Sequence, residues 1–368
     1  MKITRVVTEH LRVPLPKRGK VSLVEAHRPA GPDAVEVVLV RLETDAGLTG
    51  IGLTYLFGTG AKLVRQLLET ELSPLVMGEW GHDTDRLFAK AESHFRNVGF
   101  AGLPSRAYAA IDVALWDLKA KSANVSLGHL LGGVRSESSY FLSEIVGTGW
   151  DPTDVAKLAK TALKQGAMGV RVEIGAADVQ ADADRVREVH DSLGDEAWVG
   201  VSAGGRYDLN TALALAHFFE DQGVDWFEDP IAATDWSGYS RLASRLEMPL
   251  AIGTTFDRRD DFYRVIREGL ARVVRPDVCR LGGITPVLKI AAVAEAYHVA
   301  VSPVRLPEIG AHLGCGLAGV SLADSVGWFK DLFTTSPKTE SGKLSPSDGI
   351  GLGLTLNEST VAKLRVVS

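Results

Sequence analysis

The sequence predicts an α/β protein, a (β/α)-type TIM barrel with an α+β capping domain built from both chain termini. From about residue 138 to about residue 330, short apolar stretches alternate with helical ones. Four helical stretches end in glycine, the residue that most readily adopts the left-handed conformation after a helix: Gly166, Gly194, Gly223 and Gly269. Repeated βα units of this length close most readily into a barrel, with an open doubly wound sheet as the alternative.

The predicted capping domain begins with strands rich in β-branched residues, followed by helices with apolar residues at helical spacing. The strands are expected at residues 2–15 and 34–54, and the helices at 61–72, 83–95 and 104–121. The tail after Pro337 is rich in Gly, Ser and Pro, and we predict that it packs back on this part. The predicted domains are residues 1–125 with 335–368 for the cap, and 126–334 for the barrel.

Seven apolar stretches and a weaker eighth predict the barrel strands. They lie at 139–147, 169–174, 197–202, 224–228, 249–254, 271–277, 299–304 and, for the eighth, 326–330. Two glycine pairs, at 58–60 and 314–316, do not complete a dinucleotide-binding motif after a strand. The barrel is therefore favoured over a nucleotide-binding sheet.

The composition describes a globular protein with a sizeable core: 368 residues, 45% hydrophobic and 23% charged. A net charge of −6 argues against nucleic acid or an anionic membrane as partner, although a small anionic substrate remains compatible. The two cysteines, Cys279 and Cys315, form no zinc or disulfide pattern, which predicts a cytoplasmic protein.

Trp226-Phe227-Glu228-Asp229-Pro230 places two carboxylates directly after an apolar strand. In parallel β/α folds, ligands bind where the strands end, so this stretch predicts a site.

Several motifs resemble the enolase superfamily, and most closely its mandelate racemase and muconate lactonizing branch. They are Ala110–Lys121 followed by Leu130–Gly133, Arg275–Asp277 followed by Gly282–Thr285, and Trp226–Pro230. The resemblance implies a cap over a modified barrel, several copies per assembly, and an enediolate formed beside a substrate carboxylate. It also implies a metal, because proton removal next to a carboxylate creates a dianion that a cation must stabilise.

The positions that hold this metal in the family differ in this chain. Glu228 is present, but Ser202 and Thr254 stand where the resemblance implies carboxylates. Mg²⁺ prefers carboxylate oxygens, so we expect no cofactor, with Mg²⁺ on Glu228 as the alternative.

The second strand carries Arg171 and Glu173 where relatives often place lysines. Arginine cannot act as a base, whereas a buried Glu173 could. The alternative is an ion pair between Arg171 and Glu228 or Glu173, which would fill the space of a lost cation.

The seventh strand ends in Val304 where the racemase branch has a histidine paired with the position of Asp277. Arg305 follows, and it could bind a substrate carboxylate or neutralise Asp277. Glu308 falls where some relatives place an acid, although a glutamate is also favourable at a helix N-terminus.

Together these residues predict a divergent isomerase or lyase acting next to the carboxylate of a small, sugar-acid-like substrate. Glu173, Arg171, Asp277 and Glu308 are the catalytic candidates, and Arg305, Ser202 and Thr254 the substrate-binding ones. A non-catalytic small-molecule binder or scaffold is the alternative. Specificity is expected from cap loops near residues 17–27 and 55–60, where Tyr55 and Phe57 are expected to pack as ordinary loop residues.

Overall fold

The computed structural model describes residues 1–15, 33–143, 152–175, 178–194, 196–320 and 322–367. Within these ranges the chain forms the predicted barrel and capping domain. No described helix is long and apolar enough to cross a membrane.

Three antiparallel strands form the sheet of the cap, in the order β1–β2–β3. They are β1 (Ile3–Pro14), β2 (Ala34–Thr44) and β3 (Thr49–Phe57). Gly47 lies in the turn between β2 and β3 with φ of +76°, a conformation that suits glycine because L side chains clash there. The loop predicted at residues 55–60 begins later than expected, because Tyr55 lies within β3.

Helices pack on one face of this sheet through a common apolar core. They are α1 (Ala61–Leu67), α2 (Ser73–Val76), α3 (Thr84–His94) and α4 (Leu103–Ser122), with a π-helical segment, Leu68–Leu72, between α1 and α2. A fifth helix, α5 (Leu127–Leu130), follows α4, and its Leu127 joins the larger core that continues into the barrel.

The long helix α4 joins the cap to the barrel. Its Asp112 carboxylate accepts hydrogen bonds from the main-chain N–H (2.9 Å) and the hydroxyl (2.7 Å) of Thr285. Trp116 Nε1 donates to the same hydroxyl at 2.9 Å. Strand β3 packs so closely against α4 that a side chain at Gly52 would collide with the main-chain oxygen of Ala110.

Eight strands form the barrel: β4 (Ser138–Leu142), β5 (Gly169–Glu173), β6 (Trp198–Ser202), β7 (Trp226–Glu228), β8 (Leu250–Ile252), β9 (Val273–Val274), β10 (Ala300–Val301) and β11 (Leu322–Ser325). The helices between them are α6 (Pro152–Lys164), α7 (Val179–Leu193), α8 (Leu209–Asp221), α9 (Trp236–Ala243), α10 (Arg259–Arg267), α11 (Val278–Leu281), α12 (Ile284–Ala296) and α13 (Pro307–Gly316). The four predicted helix-ending glycines have φ between +66° and +89°, which confirms their role.

The barrel strands are parallel, and β11 pairs with β4 from Leu322↔Ser139 to Ser325↔Leu142. The eighth strand therefore precedes the predicted 326–330. The apolar residues of that later stretch pack elsewhere: Trp328 makes an edge-on contact with Phe57 of the cap at 5.5 Å between ring centroids. Apolar character there reflects packing under the cap and not a strand.

Side chains along each barrel strand alternate between the barrel interior and the surrounding helices. In β6, Val199 and Val201 join the core under the helices. Trp198 instead packs inside the barrel against Phe141, with ring centroids 4.8 Å apart. The same alternation turns Ser202, four residues after Trp198, towards the interior at the carboxyl end of the strand.

The C-terminal tail contacts both parts of the molecule. Its hairpin, β12 (Lys338–Glu340) and β13 (Lys343–Ser345), extends the barrel sheet by pairing β13 with β4. Its last helix, α14 (Glu358–Leu364), lies against the cap, where Glu358 pairs with Arg41 at 2.9 Å. The predicted domain boundary, which assigns the whole tail to the cap, stays a prediction.

Candidate active site

A cavity of about 440 Å³ lies between the cap and the carboxyl ends of the barrel strands. Six of the residues singled out in the sequence line it: Arg171, Glu173, Ser202, Thr254, Asp277 and Arg305. The cap contributes Tyr55, Phe57 and Arg106. Parallel strands deliver their terminal side chains to one rim, which explains why residues distant in sequence meet here.

Glu228 lies beneath this cavity, fully buried, with both carboxylate oxygens engaged. Arg171 Nη1 donates to Oε1 at 3.0 Å, and Arg275 Nε donates to Oε2 at 2.8 Å. Burial acts to raise the pKa of Glu228, but the two guanidinium groups outweigh it, so the pKa lies below the ordinary value. Of the two ion pairs considered for Arg171, the one with Glu228 is formed.

Arg275 is the second partner of Glu228, and the sequence indicated only its place in a motif. Its side chain is fully buried, donates to Asp324 Oδ2 at 2.8 Å, and lies 5.1 Å from the ring centroids of both Phe141 and Trp226. Burial opposes ionisation of Asp324, but Arg275 outweighs it, and the pKa of Asp324 is lowered. The barrel interior thus holds a chain of ion pairs that runs from Arg171 through Glu228 and Arg275 to Asp324.

Asp229 is strained and buried beside this network. Its φ is +40°, and its carboxylate accepts hydrogen bonds from the Gly253 N–H at 2.8 Å and from the Thr254 hydroxyl. Burial, followed by the charge of Glu228, raises the pKa of Asp229 to about 6. Because the Thr254 hydroxyl donates its hydrogen bond to Asp229, the hydroxyl oxygen remains able to accept one from a group in the cavity.

Glu173 lines the cavity and forms a partly exposed ion pair with Arg206, from Nη2 to Oε1 at 2.9 Å. The other oxygen, Oε2, meets no donor among the described residues. Of the two carboxylates among the described lining residues, Glu173 is therefore the one that retains a free acceptor atom.

A second cluster joins the cap to the sixth barrel strand. The Tyr55 hydroxyl donates to Asp277 Oδ2 at 2.5 Å, while Oδ1 accepts from the Cys279 N–H at 2.9 Å and caps α11. Burial and the charge of Asp277 raise the pKa of Tyr55 well above its ordinary value, so the phenol keeps its proton. Nothing in the sequence signals this contact, because it joins positions far apart in the chain.

Arg305 completes this cluster. Its Nη1 lies 3.4 Å from the Tyr55 hydroxyl oxygen and 3.8 Å from Asp277 Oδ2. Its φ of +58° falls in the left-handed region that L residues avoid, and such strain concentrates at functional sites. The geometry allows both roles considered for Arg305, carboxylate binding and neutralisation of Asp277.

The structure does not bring Glu308 to this cavity. It lies at the start of α13 and lines a separate small apolar space with Leu53 and Leu354. Its Oε2 is buried without a hydrogen-bond partner, and burial raises its pKa to about 7. The position of Glu308 therefore gives no support to the catalytic role predicted for it. The predicted specificity loop at 17–27 falls outside the described residues.

The sequence matches two family models. One, described as "Mandelate racemase / muconate lactonizing enzyme, N-terminal domain", covers residues 30–132. The other, described as "Enolase C-terminal domain-like", covers residues 154–360.

Individual relatives agree with these matches. L-talarate/galactarate dehydratase of Salmonella typhimurium is 29% identical over 325 residues, 88% of this chain and 81% of its own. 3,6-Anhydro-alpha-L-galactonate cycloisomerase of Streptomyces coelicolor is 26% identical over 365 residues, 99% of each chain. The solved structure of the Salmonella dehydratase liganded with Mg and L-lyxarohydroxamate has a TM-score of 0.93 at 26% identity, covering 100% of this chain and 93% of that one.

The expectation that no cofactor takes part is wrong, because several similar solved structures contain Mg²⁺. Among the described residues, however, no three His, Cys, Asp or Glu side chains gather as a metal site. Both oxygens of Glu228 already accept from Arg171 and Arg275. Mg²⁺ binds through several free oxygen ligands, so these donors do not fit the ion in this arrangement of side chains.

Proposed function

The chain belongs to the enolase superfamily, in the branch of mandelate racemase and muconate lactonizing enzyme, and we propose that it is an isomerase or lyase acting beside the carboxylate of a small sugar acid. The observation that carries the proposal is that one cavity gathers Arg171, Glu173 and Arg305 at the strand ends. The activities of the relatives named above, a dehydratase and a cycloisomerase, support this reaction class.

The substrate carboxylate lies, in this proposal, within reach of Arg171 and Arg305. Removing the neighbouring proton places a second negative charge on that carboxylate, and guanidinium groups stabilise such charge through forked hydrogen bonds. Ser202 and Thr254 line the same wall, and the Thr254 oxygen can accept from a substrate hydroxyl. These four side chains bind and orient the substrate.

Glu173 is the proposed base. Its side chain lines the cavity, its Oε2 meets no donor among the described residues, and its Oε1 is fixed by Arg206, which restricts the directions in which the carboxylate can point. Asp277 is better suited to positioning than to proton transfer, because its oxygens already accept from Tyr55 and the Cys279 N–H. Its role is to fix Tyr55 and Arg305.

The test is turnover of a sugar-acid library, followed by mass spectrometry and NMR, with Mg²⁺ and separately with EDTA. We expect at least one acid to be dehydrated or isomerised, and Glu173→Gln to lower kcat by about 10²–10⁴-fold. Glu247→Gln, an exposed position outside the cavity, is the control and should leave kcat unchanged. If ligands stabilise the protein yet return chemically unaltered under both conditions, the chain is a non-catalytic binder and the proposal is wrong.

A further inference from the structure

We propose, resting on the function proposed above, that the substrate is a linear sugar diacid whose second carboxylate binds Arg106 beneath the cap. The first carboxylate would occupy the reacting end, near Arg305. The evidence for this subsite is that some arginines of the cavity have a close carboxylate partner within the protein and others do not.

Five arginines line the cavity against two carboxylates, Glu173 and Asp277. Three of these arginines have a close carboxylate partner. Arg171 contacts Glu228 at 3.0 Å, Arg206 contacts Glu173 at 2.9 Å, and Arg280 contacts Asp257 at 2.6 Å. Their charges are thus largely balanced by the protein itself.

Arg106 lacks such a partner, and Arg305 has only a longer contact with one. Arg106 Nη1 donates to the main-chain oxygen of Tyr55 at 3.2 Å, and among the described residues it contacts no carboxylate. The nearest carboxylate oxygen to Arg305 lies at 3.8 Å and already accepts from Tyr55. Partly buried charges are costly without compensation, so the cavity presents two places for an anionic group.

Tyr55 sets the distance between these two places. Arg106 donates to its main-chain oxygen, and Arg305 donates to its hydroxyl at the far end of the side chain. The two guanidinium groups therefore contact opposite ends of one residue, whose length is comparable with that of a linear sugar acid. One molecule with an acid at each end would reach both arginines.

A carboxylate fits the Arg106 subsite better than a phosphate does. A single planar guanidinium matches a carboxylate through two parallel hydrogen bonds. Phosphate groups are more often bound by several donors together, such as the N–H groups at a helix N-terminus. A diacid is therefore favoured over a phosphorylated sugar acid.

Calorimetric binding to paired probes tests this inference. Galactarate and D-galactonate share one carbon skeleton and differ only at C6, which is a carboxylate in the first and a hydroxymethyl group in the second. Glucarate and D-gluconate form a second pair of different configuration, and 6-phosphogluconate supplies the phosphate. The proteins are the unchanged chain, Arg106→Ala, Arg106→Lys, and Arg245→Ala, an exposed arginine before β8 at the opposite end of the barrel.

In at least one pair, we expect the diacid to bind at least about tenfold more tightly than the monoacid. Arg106→Ala should remove this difference by weakening only the diacid, Arg106→Lys should restore part of it, and Arg245→Ala should change neither. Thermal unfolding of each variant is the control: an unchanged unfolding temperature would show that the loss of diacid binding is not a folding defect.

The possible failures are distinguishable. If monoacid and diacid bind equally and Arg106→Ala changes neither, the two-ended substrate is wrong while the proposed function stands. Tighter binding of 6-phosphogluconate than of glucarate would show that the subsite takes phosphate. If neither these probes nor any member of the sugar-acid library is turned over, the proposed function fails, and the diacid with it.

Discussion

Replacing Arg171 by Met would leave Glu228 buried with Arg275 as its remaining cationic partner. The Arg171–Glu228 pair is 3.0 Å long, with side chains only 6% and 0% exposed. The Arg206–Glu173 pair is equally short, at 2.9 Å, but its side chains are 39% and 26% exposed. We expect Arg171→Met to lower the free energy of unfolding at pH 7 by about 2–4 kcal/mol. Arg206→Met, the matched control, should cost less than about 1 kcal/mol.

The pH dependence of this loss has a definite sign. In the unchanged protein the pKa of Glu228 is lowered, so its contribution to stability is present above the unfolded pKa and is lost as the pH falls. In Arg171→Met, only Arg275 remains to oppose the effect of burial, so the pKa of Glu228 rises. Protonation of Glu228 at acid pH then removes the buried negative charge that destabilises the folded variant. The difference between the two proteins should therefore narrow towards pH 5, by at most about 1.4 kcal/mol per pH unit.

Urea unfolding followed by circular dichroism at pH 5 and pH 7 measures both quantities. Adding Glu228→Gln to Arg171→Met should recover part of the loss at pH 7, because the uncompensated charge is removed. Equal losses in Arg171→Met and Arg206→Met would refute the reasoning, as would a difference that widens on acidification.

Three further changes have expected outcomes. Since burial raises the pKa of Glu308 to about 7, Glu308→Gln should change stability little at pH 5 and increase it by on the order of 2 kcal/mol at pH 8, measured by urea unfolding. Tyr55→Phe removes the 2.5 Å hydrogen bond to Asp277 and should lower kcat/KM about 10- to 100-fold on whichever acid is turned over. Ser202→Asp combined with Thr254→Glu adds carboxylates to the cavity wall and should raise Mg²⁺ affinity about tenfold or more by calorimetry; no gain would mean that these side chains do not face the ion's position.

Much of the fold and part of the site could be predicted because they depend on local patterns. The left-handed glycines after the helices and the apolar strands indicate the barrel unit by unit. Strand alternation places Ser202 and Arg171 on the interior side, and both line the cavity. The sequence leaves two carboxylate partners open for Arg171, Glu228 and Glu173, because it shows only that opposite charges lie at the ends of the strands.

The remainder depends on contacts between distant segments. Arg275 meets Glu228 across the barrel interior, and Tyr55 reaches Asp277 from the other domain. No periodicity relates such positions. Glu308 shows the converse: its place in the chain suggested the cavity, but the backbone of α13 directs it to another space.

Helix α4 has a consequence for how ligands come and go. Its carboxylate Asp112 is bound to Thr285 of α12, and its next acid, Asp117, accepts from the N–H groups of Ile51 in β3 and Leu352 in the tail. Helix α4 thus holds the described part of the cap to the barrel and to the C-terminal tail through several hydrogen bonds. We expect this part of the cap to keep its position on the barrel while ligands exchange. A cap held in this way would select a ligand by its shape as well as by its charge.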